Sequence, residues 1–267
     1  MNLRGWDYTG RNVGKELHTQ FRKMVEALSS KTFVNHRIWG TNLQEDVAKA
    51  IGVSSSGAVR TIKTMCVMLG FINDKALSPR EEVGTVPLLT KRGEALFATT
   101  NLEHQIDESE NMDEDKKAAA RKELMKLYEE VYCEAFMNFY YTYSDGSHLC
   151  PLRATLQALQ KHKKLDKWEW YLLNTFVLHD DNSDEVAAFE NALKDYREQK
   201  ISLSMQNVVA KPKGHQYIPQ YFEYAGLVHV VQRPEWSISV SSKHEDVKQK
   251  VLSENFLEEL YRRKENE

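Results

Sequence analysis

The chain has 267 residues, 41% apolar and 28% charged, with six Pro and twelve Gly, which excludes a disordered chain and is too polar for an integral membrane protein. The formal net charge of −3 argues against a general, sequence-indifferent nucleic-acid binder. At about 100–200 residues per domain, the length suits one large or two small domains.

Residues 1–14 read as an arm: Gly5, Gly10 and Gly14 break any periodicity, and Arg4, Trp6, Tyr8 and Arg11 interleave charge with aromatic rings. Lys15 to Ser29 is predicted helical, because Leu17, Phe21, Met24, Val25 and Leu28 recur at three- and four-residue steps. Residues 31–39 are rich in β-branched and aromatic side chains and close at Gly40, which favours a short strand or extended turn. Asn42 can cap a helix carrying Leu43, Val47, Ala50 and Ile51, which Gly52 ends. Ser54, Ser55 and Ser56 supply the next cap. The following helix turns Val59, Ile62, Met65 or Cys66, and Leu69 inward and stops at Gly70. Two short helices joined by Gly-Val-Ser read as a helix-turn-helix. A strand over 71–73, a polar loop over 74–84 and a strand over 85–89 lead to T-K-R-G-E-A-L-F, a helix start with Leu96 and Phe97 facing in. Helix-turn-helix, strand, loop, strand, helix is the order of a winged helix.

Residues 101–146 read as a connector. They begin acidic, and a long helix started by Asp113 or Asp115 carries Leu124, Tyr128, Val131, Tyr132 and Phe136 in register, before Ser144-Asp145-Gly146. Pro151 opens the next helix, and Asp166 can cap one over 168–178. A helix over 184–200, a loop with Lys211, Pro212, Lys213 and Gly214, and a helix over 216–225 ending at Gly226 follow. Strands over 227–232 and 236–241 form a hairpin around Arg233-Pro234-Glu235, and one last helix carries Val247, Val251, Phe256 and Leu260. Y-F-E-Y-A-G-L-V near 221 thus parallels M-C-V-M-L-G-F-I near 65.

The segment G-W-D-Y-T-G-R-N-V-G-K at 5–15, followed by F-R-K-M-V at 21–25, resembles the start of type IIS restriction endonucleases of the FokI and AlwI kind. T-K-R-G-E-A-L at 90–96 is similar to the helix closing their first winged helix. Residues 182–198 and 218–231 are similar to the helix and the helix-Gly-strand of a later one. The resemblance is scattered over most of the chain. It implies a recognition portion of winged helices that reads an asymmetric DNA site, with cleavage in a separate nuclease domain. The chain is long enough for the recognition portion alone.

Charge is unevenly placed. Residues 1–100 hold 14 Lys/Arg against 9 Asp/Glu, 101–135 hold 5 against 11, and 200–233 hold 4 against 1. Two basic segments separated by acidic ones suit a local surface for an anionic partner. The helix over 56–69 then exposes Ser55, Ser56, Arg60, Lys63 and Thr64. A recognition helix sets its N-terminal half in the major groove, where Arg and Lys meet guanine, and Ser and Thr meet bases or phosphates. Arg4, Arg11 and Lys15 in the arm, with Arg37 and Arg233, are expected on phosphates or along a groove, and Trp6 in the core. Lys211, Lys213, His215, Gln216, Tyr217 and Gln220 form a second candidate surface, in which Gln can pair with adenine.

A nuclease centre needs carboxylates that hold Mg²⁺ beside a lysine. Pro234-Glu235 with Asp246-Val247-Lys248 fits that string formally, as does Glu114-Asp115-Lys116. Both are set aside, because the first continues as a helix and the second is polar throughout. Cys66, Cys133 and Cys150 lie far apart with no metal spacing, and the N-terminal residues have no apolar h-region; both features fit a reducing cytoplasm. No apolar run approaches the roughly 20 residues of a membrane span.

The expected protein is α+β and predominantly α-helical. It has an arm plus winged-helix module over 1–100, an acidic helical connector over 101–146 and a second winged-helix-like module over 147–267. The expected function is recognition of double-stranded DNA with an asymmetric site, as the target-recognition domain or subunit of a type IIS-like restriction endonuclease. No cofactor is expected in this chain, and Mg²⁺ only in a separate nuclease domain or subunit. The alternatives are a winged-helix transcription regulator and a protein-interaction scaffold without DNA contact.

Overall fold

The structure, a computed structural model, describes residues 1–7, 10–30, 37–80 and 82–265. It is an α-rich α+β protein that divides into two compact units, Gly10–Ala135 and Met1–Thr9 with Phe136–Glu267.

The unit Gly10–Ala135 holds α1 (Lys15–Ser29), α2 (Thr41–Ile51), α3 (Ser56–Met68), α4 (Lys91–Glu108) and most of α5 (Glu114–Met137). The apolar stripe of α1, Leu17, Phe21, Met24 and Val25, is buried, and α1 packs on α2 and α4. Gly40 rather than Asn42 precedes the first turn of α2, so Asn42 is a helical residue and caps nothing. Gly52 ends α2 at φ 73°, a left-handed conformation that glycine adopts without a Cβ penalty. The Ser55 hydroxyl accepts the Ala58 N–H at 3.4 Å and opens α3. Val59, Ile62, Met65 and Cys66 all point inward.

The strands expected over 71–73 and 85–89 shrink to one bridge, Ile72 to Leu89. Asn73 accepts the Lys75 N–H at 3.1 Å and turns the chain into a 3-10 turn, Asp74–Leu77. Pro87 has no N–H for a ladder. Of the strand expected over 31–39, residues 31–36 lie outside the described residues, and Ile38 bridges Glu82. Behind α1 sits a polar cluster in which the Tyr128 hydroxyl donates to Glu103 at 2.7 Å and the His18 ring stacks on Tyr128 at 3.9 Å. Burial alone would push Glu103 up, but hydrogen bonds from His18 and Tyr128 hold its carboxyl below the usual range.

The other unit opens with the pair β1 (Tyr141–Thr142) and β2 (His148–Leu149). It continues through α6 (Pro151–His162), β3 (Lys164–Asp166), α7 (Lys167–Phe176), α8 (Ser183–Arg197), α9 (Gly214–Tyr224), β4 (Val228–Val231), β5 (Ser237–Val240), α10 (Glu245–Leu252) and α11 (Phe256–Glu265). The strands form an antiparallel sheet of order β3-β5-β4, with Leu165, Ile238 and Val230 in one buried row. Asp166 accepts the N–H groups of Trp168 and Glu169 at 2.8 and 2.9 Å, and Glu169 returns a bond to the Asp166 N–H, a full capping box. The single last helix expected is two, α10 and α11. Arg153 donates to the carbonyls of Val251 and Ser253 at 2.6 and 2.9 Å and holds the break.

The N-terminal arm is not an arm. The Leu3 N–H donates to the Asn207 carbonyl at 2.7 Å and the Val209 N–H to Leu3 at 2.9 Å. Trp6 is buried edge-on against Trp170, centroids 5.4 Å apart, and its indole N–H donates to the Val177 carbonyl at 2.7 Å. Residues 1–7 therefore fold with the C-terminal unit, whereas the expected division grouped them with the first module. Burial of Leu3 and Trp6, worth about 1.5–3 kcal/mol each, acts together with the hydrogen bonds of Leu3, Arg4 and Trp6 against the entropy lost when the segment is ordered. Among the described residues no helix is long and apolar enough to cross a membrane.

Candidate nucleic-acid interface

In α3 the inward set Val59, Ile62, Met65 and Cys66 leaves Ser55, Arg60 and Thr64 exposed, with Ser56 and Lys63 half-buried. The Arg60 guanidinium donates to the neutral Gln44 side chain of α2 at 3.2 Å, so its charge is oriented without being neutralised. Lys63 differs: its ammonium pairs with Asp74, and its side chain is 20% exposed. Arg60 and Thr64 lie on one outward face, four residues apart. Arg80, in the loop after the 3-10 turn, is exposed and was not singled out from the sequence, where S-P-R-E-E reads as ordinary loop.

Sequence reasoning also placed Arg4, Arg11, Lys15 and Arg37 on DNA. Arg4 is exposed and pairs with Asp7 at 3.4 Å, while its N–H donates to the Thr175 hydroxyl at 2.9 Å. Arg11 donates to Gln20 at 2.7 Å and pairs with Glu16 at 3.3 Å. Lys15 pairs with Asp107 at 2.6 Å. That pair and the bonds from Lys15 and Arg121 hold the Asp107 carboxyl low against the upward push of burial. Arg37 is exposed, 3.6 Å from Glu82. The structure thus brings Ser55, Arg60 and Thr64 to one face but gives Arg11 and Lys15 carboxylate partners within their own unit.

Around α9, Lys211, Lys213, Gln216 and Gln220 are exposed and Tyr217 is half-buried, while Arg233 is exposed in the turn between β4 and β5. His215 is a correction. It is 3% exposed, 4.3 Å from the Tyr171 ring, and neither ring nitrogen has a hydrogen-bond partner among the described residues. Burial, assisted by the charges of Lys167 and Lys213, holds the imidazole down at about 4, so it is neutral. It cannot reach a base edge. A Cβ on Gly5 would meet the His215 ring at 2.2 Å, and one on Gly214 the Trp6 carbonyl at 2.5 Å. Residues 3–6 therefore cover the first turn of α9. Pro219 lies inside that helix and lacks the N–H that would reach the His215 carbonyl. The Trp170 indole N–H supplies the bond instead, at 2.9 Å.

Asp246 and Lys248 stand on α10, and the buried Lys248 ammonium donates to the Ser241 carbonyl at 2.5 Å and pairs with Glu245 at 2.8 Å. Glu114, Asp115 and Lys116 form the exposed first turn of α5. Among the described residues no group of His, Cys, Asp and Glu could hold a metal ion. The helix α3 and the exposed groups around α9 are hydrogen-bond donors and cations, the chemistry that meets phosphates and base edges. No known family model matches the chain, and no curated protein is detectably similar to it in sequence.

Proposed function

We propose that the chain recognises double-stranded DNA at an asymmetric site, as the target-recognition portion of a type IIS-like restriction endonuclease. Cleavage and its Mg²⁺ then belong to a separate nuclease domain or subunit. The observation that carries the reading is the α2–Gly52–α3 unit, whose buried side chains are apolar except for Gln44 and whose exposed ones include Ser55, Arg60 and Thr64. Two further observations support it. The bridge from Ile72 to Leu89 follows α3 directly, and a sheet of order β3-β5-β4, with β3 between α6 and α7 and the β4–β5 hairpin after α9, is the strand order expected of a winged helix. Two dissimilar units in one chain suit an asymmetric site better than the palindrome of a dimeric regulator.

Selection from a random duplex library, read by mobility shift, tests the proposal. The expected result is one enriched asymmetric sequence whose affinity falls about 10³–10⁵-fold between 50 and 200 mM salt, as six to ten phosphate contacts require. Folded protein that enriches no sequence at low salt ends it.

A further inference from the structure

The unit containing the C-terminus holds a cavity of about 390 Å³ between α6, the end of α7 and the start of α8. Its walls are apolar: Ala154 and Ala158 from α6, Leu173 and Val177, and Phe189 from α8. The hollow exists because two alanines, four residues apart on α6, face α8 where larger side chains would fill the space. Val186, 42% exposed, stands at the mouth. A hollow of this size with apolar walls and a few polar groups at the rim has the form of a small-molecule site.

The rim selects the charge of the occupant, because its carboxylates, Asp180, Asp181 and Glu190, outnumber the one lysine that lines it, Lys161. Asn182 takes the N–H groups of Asp184 and Glu185, at 3.1 and 3.2 Å, and so closes the α8 N-terminus to an anion. Glu185 takes the N–H groups of Leu178 and His179 at 2.7 and 2.8 Å and the His179 ring at 2.5 Å. Lys161 is paired with Glu190 at 3.1 Å. The acceptors are not all used. Asp180 accepts the Cys150 N–H at 2.9 Å and the Tyr261 hydroxyl. Asp181 has Arg153 at 3.9 Å, beyond hydrogen-bond length, and its side chain is 63% exposed.

We infer that this cavity binds a small molecule with an apolar body and a cationic amino group, the body lying on Ala154, Ala158 and Phe189 and the ammonium on Asp181. The inference is independent of DNA binding.

The test uses the full chain with labelled Leu and Val methyl groups and three probes of similar body: phenethylamine, hydrocinnamate and phenylpropanol. Phenethylamine is expected to saturate with a Kd of about 1 mM or tighter, a range open to a fragment of this size. The methyl shifts should be confined to Leu173, Val177 and Val186. Hydrocinnamate should bind more weakly than the alcohol. Ala158→Leu, which fills the hollow, should abolish binding of all three. Asp181→Asn should weaken the amine about twofold to fivefold, the worth of an exposed ion pair, and leave the alcohol unchanged. Asp181 has φ 53°, which Asn tolerates, so this variant folds even where Ala158→Leu does not. No saturable shift with the amine, tighter binding of the carboxylate, or an Asp181→Asn variant that binds the amine as before overturns the inference.

Discussion

The helices α3 and α9, one in each unit, end in the same way, yet they expose different parts of themselves. In Gly10–Ala135, Gly70 sits at φ 67°, its N–H returns to Val67 at 2.9 Å and that of Phe71 to Cys66 at 2.8 Å. In the other unit Gly226 sits at φ 69°, its N–H returns to Glu223 at 2.9 Å and that of Leu227 to Phe222 at 2.9 Å. Both are the left-handed helix end in which two orphan carbonyls are satisfied at once. The approach to the helix differs. A short turn, residues 52–55, joins α2 to α3, and the first turns of α3 stay open. Between α7 and α9 lie α8 and a long irregular segment, and residues 3–6 close over the start of α9. One helix keeps Arg60 and Thr64 of its outer face exposed, and the other has its first turn covered and exposes Gln216, Gln220 and Glu223, with Lys211 and Lys213 before it.

The largest effect that distinguishes the units comes from the Trp6–Trp170 contact. Trp170→Ala removes a fully buried ring and two partners, and is expected to cost about 3–5 kcal/mol in the unit that holds it. Denaturation followed by tryptophan fluorescence reads this directly, because Trp6, Trp168, Trp170 and Trp236 all lie in that unit. A loss below about 1 kcal/mol would mean that residues 1–7 are not part of the core.

His215 supplies the next effect. Its folded value of about 4 lies below the ordinary 6.5, so the unfolded chain takes up the proton first. The contribution is complete above pH 6.5, declines as pH falls towards 4, and amounts to about 3 kcal/mol in all. His215→Asn should flatten the pH dependence of that unit's stability by one proton. An unchanged slope would place a partner on the imidazole.

The matched glycines give the smallest effect and the closest comparison. Gly226→Ala and Gly70→Ala each force a Cβ into a left-handed backbone and are expected to cost about 1–2 kcal/mol. Gly70→Ala should cost more, because its Cβ also meets the Arg92 guanidinium at 2.4 Å. Equal losses by calorimetry would show that the arginine moves aside freely.

The helices were legible where one face is apolar and a glycine or serine marks the end: α1 has the bounds read from its period, and the burial of Val59 and Ile62 followed from spacing. The C-terminal end of α4 was not, because N-L-E-H-Q-I-D-E is a solvated helix with no apolar stripe to announce it. β3 is short and bounded by lysines, so nothing in K-L-D marks a strand. The largest misreading, the arm, was a matter of distance. Trp6 finds Val177 and Trp170 more than 160 residues away, and no local pattern carries that contact. The same contact hid the burial of His215, which looks in sequence like one more polar group beside two lysines. The cavity beside α8 was equally silent, since Ala154 and Ala158 read as ordinary helix formers.

We propose that α3 reads bases while the groups around α9 hold phosphates. Binding-site selection with Arg60→Ala and with Lys213→Ala tests it most directly. Arg60→Ala should cost about 1–3 kcal/mol and relax one position of the selected site. Lys213→Ala should weaken all sequences alike and lower the salt slope by about one. An unchanged preference in Arg60→Ala, or an altered one in Lys213→Ala, would contradict the account and move the reading surface to the other unit.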